Sequence, residues 1–188
     1  MYWWTKKSLQ QKMGAATIFL SAALFFACTS SPTVTNQVSK EFDLPSFFQH
    51  EIKRLSSANR EVIKTVSTGD SSETKTIQQI DWKKELAAFS SVDVNKAVYA
   101  GEIRKDSSDH IVTLYLDNPD ADISKVRIHY DKQNEPQEII IHKNIHNLLY
   151  HTIEILSYKK DHNYSIEKQQ DVWLLGTNHY TIKGSFSN

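Results

Sequence analysis

The sequence predicts an α+β protein: a curved antiparallel β-meander of about eight to ten strands, open or half-barrel, packed with two N-terminal helices. Three observations carry that prediction. Apolar residues recur at helical spacing in two stretches before residue 90, Phe48/Ile52/Leu55 and Trp82/Leu86/Phe89. From Ala97 onward, short β-rich runs alternate with clusters of turn-forming residues. The connections are shorter than the dozen or more residues a parallel crossover needs, so neighbouring strands must be antiparallel.

The N-terminal segment stands outside that fold. Lys6, Lys7 and Lys12 precede an apolar run from Met13 to Phe26, and the small Ala27 precedes Cys28. A positive region, a short apolar stretch and a small residue before a cut are the parts of a secretory signal. As a helix, Met13 to Ala27 would span about 22 Å, short of the roughly 30 Å hydrocarbon core, which argues against a membrane-spanning anchor. Cys28 is the only cysteine. The stretch Leu24-Phe25-Phe26-Ala27-Cys28-Thr29 resembles the signal of bacterial lipoproteins, which is cut before a cysteine acylated on its sulfur and on the new amino terminus. The resemblance implies a signal peptide over residues 1–28, a lipidated Cys28 and attachment to a membrane outside the cytoplasm.

Residues 1–28 hold three of the 22 basic residues and none of the 22 acidic ones, which leaves the remainder with 19 against 22 and a formal net charge of −3. A mildly acidic body offers no general attraction to nucleic acid. With its one thiol assigned to lipid, that body has no disulfide, zinc-thiolate or cysteine chemistry. Residues 29–40 are rich in Ser, Thr, Pro and Asn and read as a flexible tether, at most about 40 Å long when extended. Residues 41–188 suffice for a single α+β domain.

Within the domain, Pro45 fits a first helical turn, and Phe48, Ile52 and Leu55, with Phe47 beside them, mark an amphipathic helix ending near Ser56-Ser57-Ala58-Asn59. Glu51, Lys53 and Arg54 fall largely off its stripe. Arg60 to Gln79 reads as a hairpin about Gly69-Asp70. Asp81 is the expected N-cap of a second helix whose stripe is Trp82, Leu86 and Phe89. The strands that follow are expected at Val98–Arg104, Ile111–Leu116, Lys125–Asp131, Glu138–Lys143, Tyr150–Tyr158, Tyr164–Gln169, Val172–Leu175 and His179–Phe186. The stretch Asp106-Ser107-Ser108-Asp109 is one of the expected turns. If Gln133 to Pro136 form another, Tyr130 pairs with Ile139 and Ile128 with Ile141. Val126, Ile128, Tyr130, Ile139 and Ile141 then share an apolar face, opposite Arg127, His129, Asp131, Glu138 and His142.

Chemical motifs are sparse. His142, His146 and His151 are spaced four and five apart, and His129 approaches His142 across the proposed hairpin, but no H-E-x-x-H or comparable ligand set accompanies them. His142 is expected to face solvent opposite Arg127, a cation that disfavours a metal. No G-x-S-x-G elbow and no phosphate-cradling glycine loop occurs. Asp81 with Glu85 and Asp106 with Asp109 read as a helix cap and a turn on a solvated surface. Tyr158-Lys159-Lys160 reads as a strand entering a solvated turn. The sequence therefore predicts no catalytic residue, metal or cofactor.

Three function classes remain. A binding module for an apolar or acyl ligand comes first, because a curved sheet beneath an aromatic-bearing helix can enclose such a molecule. An assembly module that contacts another envelope protein comes second, and an enzyme without a sequence signature third. In its order of helix, strands, covering helix and long meander the chain loosely resembles the half-barrel lipoprotein carriers and acceptors that handle acyl chains. With the signal and the short aromatic-rich strands, it also resembles small lipoproteins of the Bacteroidota. That resemblance implies an outer-membrane lipoprotein facing the periplasm, with Thr29 rather than an inner-membrane-retaining Asp after the acylated Cys28. The expected partners are the membrane, through Cys28, and an apolar ligand or an envelope protein.

Overall fold

A computed structural model describes residues 40–58 and 60–187. The expectations placed on residues 1–39, the signal segment, the acylated Cys28 and nearly all of the tether, lie outside the described residues.

The first helix, α1 (Leu44–Ala58), starts where the Asp43 carboxylate accepts the Ser46 N–H at 3.1 Å, with Pro45 in the first turn. It buries Phe48, Ile52 and Leu55, the stripe its spacing predicts, together with Leu44 and Glu51. The hairpin follows as β1 (Val62–Thr68) and β2 (Ser71–Ile77), reversed at Gly69, whose φ of +55° suits glycine.

The second helix departs from expectation by breaking into two single turns, α2 (Trp82–Glu85) and α3 (Ala87–Ser90). Asp81 caps α2 as predicted, accepting the Lys84 N–H at 3.2 Å. Leu86 sits between the two turns at φ −97° and ψ 14°, fully buried. The two ends serve different neighbours: Trp82 packs against Tyr164 and Phe186, and Phe89 against Phe48 and Tyr158.

Nine strands form one open antiparallel sheet in the order β2-β1-β9-β8-β7-β6-β5-β4-β3. The remaining strands are β3 (Ile103–Ser108), β4 (Ile111–Leu116), β5 (Ile123–Tyr130), β6 (Pro136–His146), β7 (Tyr150–Lys159), β8 (Asn163–Val172) and β9 (Gly176–Phe186). The last strand pairs with the first, Val62 opposite Phe186, so the N-terminal hairpin extends the sheet beyond the C-terminal strand.

Four details differ from the sequence reading. Of the expected strand Val98–Arg104 only Ile103 and Arg104 lie in a strand: Ala97–Tyr99 is a 3₁₀ turn that buries Tyr99, and Gly101 at φ +83° delays β3 to Ile103. Asp106 to Ser108 belong to β3, because Asp109 at φ +49° lets a tight turn at Asp109 and His110 suffice. Val172–Leu175 is not a separate strand: β8 runs on to Val172, and Trp173 to Leu175 make the turn. At the fourth site, Ile128 pairs with Ile139 and Val126 with Ile141, two residues from the expected register. Asp131 lengthens that turn by accepting the N–H groups of Gln133 and Glu135, and a bulge lies between His129 and Tyr130. Side chains alternate with period two, so the slip leaves the expected apolar face intact.

That inner face and the helices close on one core. Val126, Ile128, Ile139, Ile141, Leu156, Tyr158 and Tyr164 lie beneath Phe48, Leu55, Trp82, Leu86 and Phe89, with Phe47 partly buried at the margin. Rings meet edge-on, as between Phe48 and Tyr158 at 5.4 Å. Gly184 faces Tyr164 across β8 and β9, and a β-carbon there would overlap the tyrosine ring.

Candidate functional site

Two clusters have the chemistry to matter, and they lie in different parts of the domain. The first is buried. Tyr158 and Tyr164 are cross-strand partners on β7 and β8, and each hydroxyl donates to a carboxylate carried by a helical segment, Tyr158 to Glu51 and Tyr164 to Glu85. Arg54 grips Glu51 with two N–H donors at 2.7 and 2.9 Å, and Lys64 reaches Glu85 at 2.7 Å. Burial pushes both tyrosine hydroxyls far above their ordinary value, and the neighbouring carboxylates push them further. The Arg54 guanidinium is held charged chiefly by its bond to Glu51, against the opposing effect of burial. These groups satisfy one another and fasten the helices to the sheet. Glu51, expected largely off the helix stripe, is buried, and Glu85, expected on a solvated surface, is part-buried; the tyrosines that bond them lie far away in the chain.

The histidines do not converge. His142 stands opposite Ile155 on the outer face, and its cross-strand cation on β5 is Lys125 rather than Arg127. Burial, then Lys125, lowers its pKa. His129 pairs with Glu138. His146 and His151 do meet, ring centroids 5.4 Å apart, with Asn144 Oδ1 at 2.5 Å from His151 Nε2. Among the described residues no group of three or more His, Cys, Asp or Glu could hold a metal. Asp106 and Asp109 are exposed on β3 and its turn, and Lys159 is exposed beyond the buried Tyr158.

The second cluster lies at one end of the sheet, where the β6–β7 and β8–β9 turns adjoin. Leu148 is 98% exposed, Leu174 86%, Leu175 80% and Trp173 73%, with Leu149 also exposed. The two turns are joined by a hydrogen bond from Trp173 N–H to the Leu149 carbonyl at 3.0 Å. Together they border an open cleft of about 700 Å³ lined by Leu148, Leu149, Tyr150, Val172 and Trp173, with His146 and His151 on its side.

This end is not an outgrowth of the core. Between the two, the inner face carries Lys143 bridged to Glu154 at 2.8 Å, then Lys168 across from Glu154. A lone exposed leucine needs no account, but five large apolar side chains on two adjoining turns make this end the candidate site. Withdrawing a side chain of this size from water yields about 1.5–3 kcal/mol. Leu174 adds strain: at φ +73° it occupies the left-handed region, which costs a non-glycine residue roughly 1–2 kcal/mol.

Sequence reading missed this end because it took Val172 to Leu175 as a strand, whose apolar residues would be buried. The available signal was the neighbouring pair Leu148-Leu149, apolar residues placed where a turn had to fall. No protein-family model, curated protein or solved structure matches the chain.

Proposed function

We propose that this protein is an envelope lipoprotein, tethered through an acylated Cys28, whose domain is a non-catalytic binding module for apolar or acyl chemistry. The observation that carries the proposal is the cluster of five exposed apolar side chains on two hydrogen-bonded turns. Binding at this end differs from enclosure by the sheet. Phe48, Trp82, Leu86 and Phe89, the residues that would have lined an internal pocket, are packed into the core instead. The non-catalytic reading is supported by the buried Glu51 and the part-buried Glu85, whose carboxylates are bonded to tyrosine, arginine and lysine. A role in assembly through strand addition is less favoured. Both open edges carry charge, Glu73 and Lys75 on β2 and Arg104, Lys105 and Asp106 on β3, which discourages pairing with another strand.

One native mass spectrum tests both halves. Protein purified from membranes and mixed with a short-chain phosphatidylcholine is expected to begin at an acylated Cys28 and to carry lipid adducts. Cys28→Ser protein is expected to keep its signal segment. A normally processed, soluble Cys28→Ser protein would overturn the tether, and absence of adducts at saturating lipid would overturn the binding module.

A further inference from the structure

We propose that the end of the sheet formed by the β6–β7 and β8–β9 turns inserts into a bilayer surface, with Leu148, Leu149, Trp173, Leu174 and Leu175 as the penetrating side chains. The inference rests on the reading of the domain as a tethered module working through its apolar end, and it names that module's partner as the lipid surface itself.

Four observations favour a bilayer over a protein partner. The first is the state of the backbone. Polar backbone groups entering hydrocarbon must be bonded internally. Here the Asn147 N–H donates to the Tyr150 carbonyl, and the Leu149 and Tyr150 N–H groups donate to the Asn147 side-chain oxygen. The Trp173 N–H donates to the Leu149 carbonyl and the Leu175 N–H to the Val172 carbonyl. Most of the N–H groups of the two turns, those of Asn147, Leu149, Tyr150, Trp173 and Leu175, are thus bonded within this end of the sheet, and the turns present side chains outward.

The second is charge. Among the described residues no lysine or arginine lines the cleft, and the one carboxylate there, Asp171, accepts a hydrogen bond from the Thr177 hydroxyl. The end therefore has little charge to desolvate, and it suits neutral lipid. The third is shape and composition. The exposed apolar side chains lie on two turns at the tip of the sheet, and Trp173 and Tyr150 are of the types that favour the membrane interface. Leu174 is held outward by a backbone conformation that glycine or asparagine would adopt at lower cost.

The fourth is where the described chain begins. Phe42 packs against Tyr130, which pairs with Pro136 at the opposite end of β6 from the turns. The 11 residues of β6 span about 35 Å. Residues 29–40 reach at most about 40 Å when extended. A chain fixed at Cys28 can therefore run the length of the domain, and its apolar end can rest on the bilayer that holds the anchor.

Tryptophan quenching tests this. In the full chain carrying Trp3→Phe and Trp4→Phe, Trp173 and the buried Trp82 are the only indoles, whether or not the signal segment is removed. Bound to phosphatidylcholine vesicles with brominated acyl chains, Trp173 emission is expected to shift to the blue and to be quenched, unchanged by high salt, while Trp82 is not quenched. Trp173→Phe should remove the quenched component. Leu148→Asn with Leu174→Asn, which suits the left-handed backbone and keeps the fold, should abolish the quenching. Vesicle-bound protein with an unquenched Trp173 overturns the inference, as does quenching that survives the double substitution. Doubling of mass with Trp173 shielded from bromine overturns it in favour of paired copies. If lipid adducts persist while Trp173 stays unquenched, the insertion fails and the binding reading stands. Quenching in a chain whose Cys28 lacks an acyl group keeps the insertion and removes the tether.

Discussion

Tyr158 shows how much depends on single side chains within this domain. Its ring is fully buried against Phe48, and its hydroxyl donates to Glu51, itself 5% exposed and gripped by Arg54. Tyr158→Phe keeps the ring and removes the donor, leaving a buried carboxylate oxygen with one partner fewer. A loss of about 1–3 kcal/mol in unfolding free energy is expected, read as a lower urea midpoint at unchanged slope. Tyr164→Phe should cost less, because Glu85 is only part-buried and water can replace the lost donor. None of this was legible in the sequence. Tyr158 lies 107 residues from Glu51 and Tyr164 lies 79 from Glu85, so no local spacing links them. Asp81 was legible, since a helix cap acts on a backbone N–H three residues away.

Among elements, legibility followed periodicity. The α1 stripe and the inner-facing residues of β5 and β6 were predictable because burial repeats along the element itself. What failed were boundaries set by one residue's backbone: Leu86 between α2 and α3, Gly101 before β3 and Leu174 after β8. Element contacts also set the response to acid. At the β7–β8 turn, Asp161 accepts bonds from Arg54 at 2.8 Å and Arg60 at 2.9 Å, fastening the end of α1 and the start of β1 to that turn. Burial raises the Asp161 pKa, but the Arg54 hydrogen bond and the charges of Arg54, Arg60 and Lys160 outweigh it and hold it below the ordinary 3.8. A depressed carboxyl stabilises the fold fully above its unfolded value and loses that contribution as pH falls through its folded value. Asp161→Asn should therefore lower stability at neutral pH and flatten the loss of stability below about pH 4, measured by urea unfolding across that range.

At the scale of the whole molecule, the chain's order places its packed core and its exposed apolar turns at opposite ends. The helices, the core and the start of the described chain occupy one end of the sheet, and the exposed turns after β6 and β8 the other. The sequence predicted the open antiparallel meander and its covered face. It did not predict that β1 would pair with β9, because Val62 and Phe186 meet only once the whole meander is built. Nor did it separate an apolar run that is buried from one that projects, since both are leucine and tryptophan to a periodicity argument. Under the proposed function, the projecting end is the working surface of a membrane-tethered domain. Hydrogen–deuterium exchange of the full chain, free and bound to phosphatidylcholine vesicles, tests it most directly. New protection is expected to be confined to residues 147–150 and 172–176, with the helices and both sheet edges unchanged. Protection centred on β2, β3 or α1, with those two turns exchanging as they do in free protein, would contradict it.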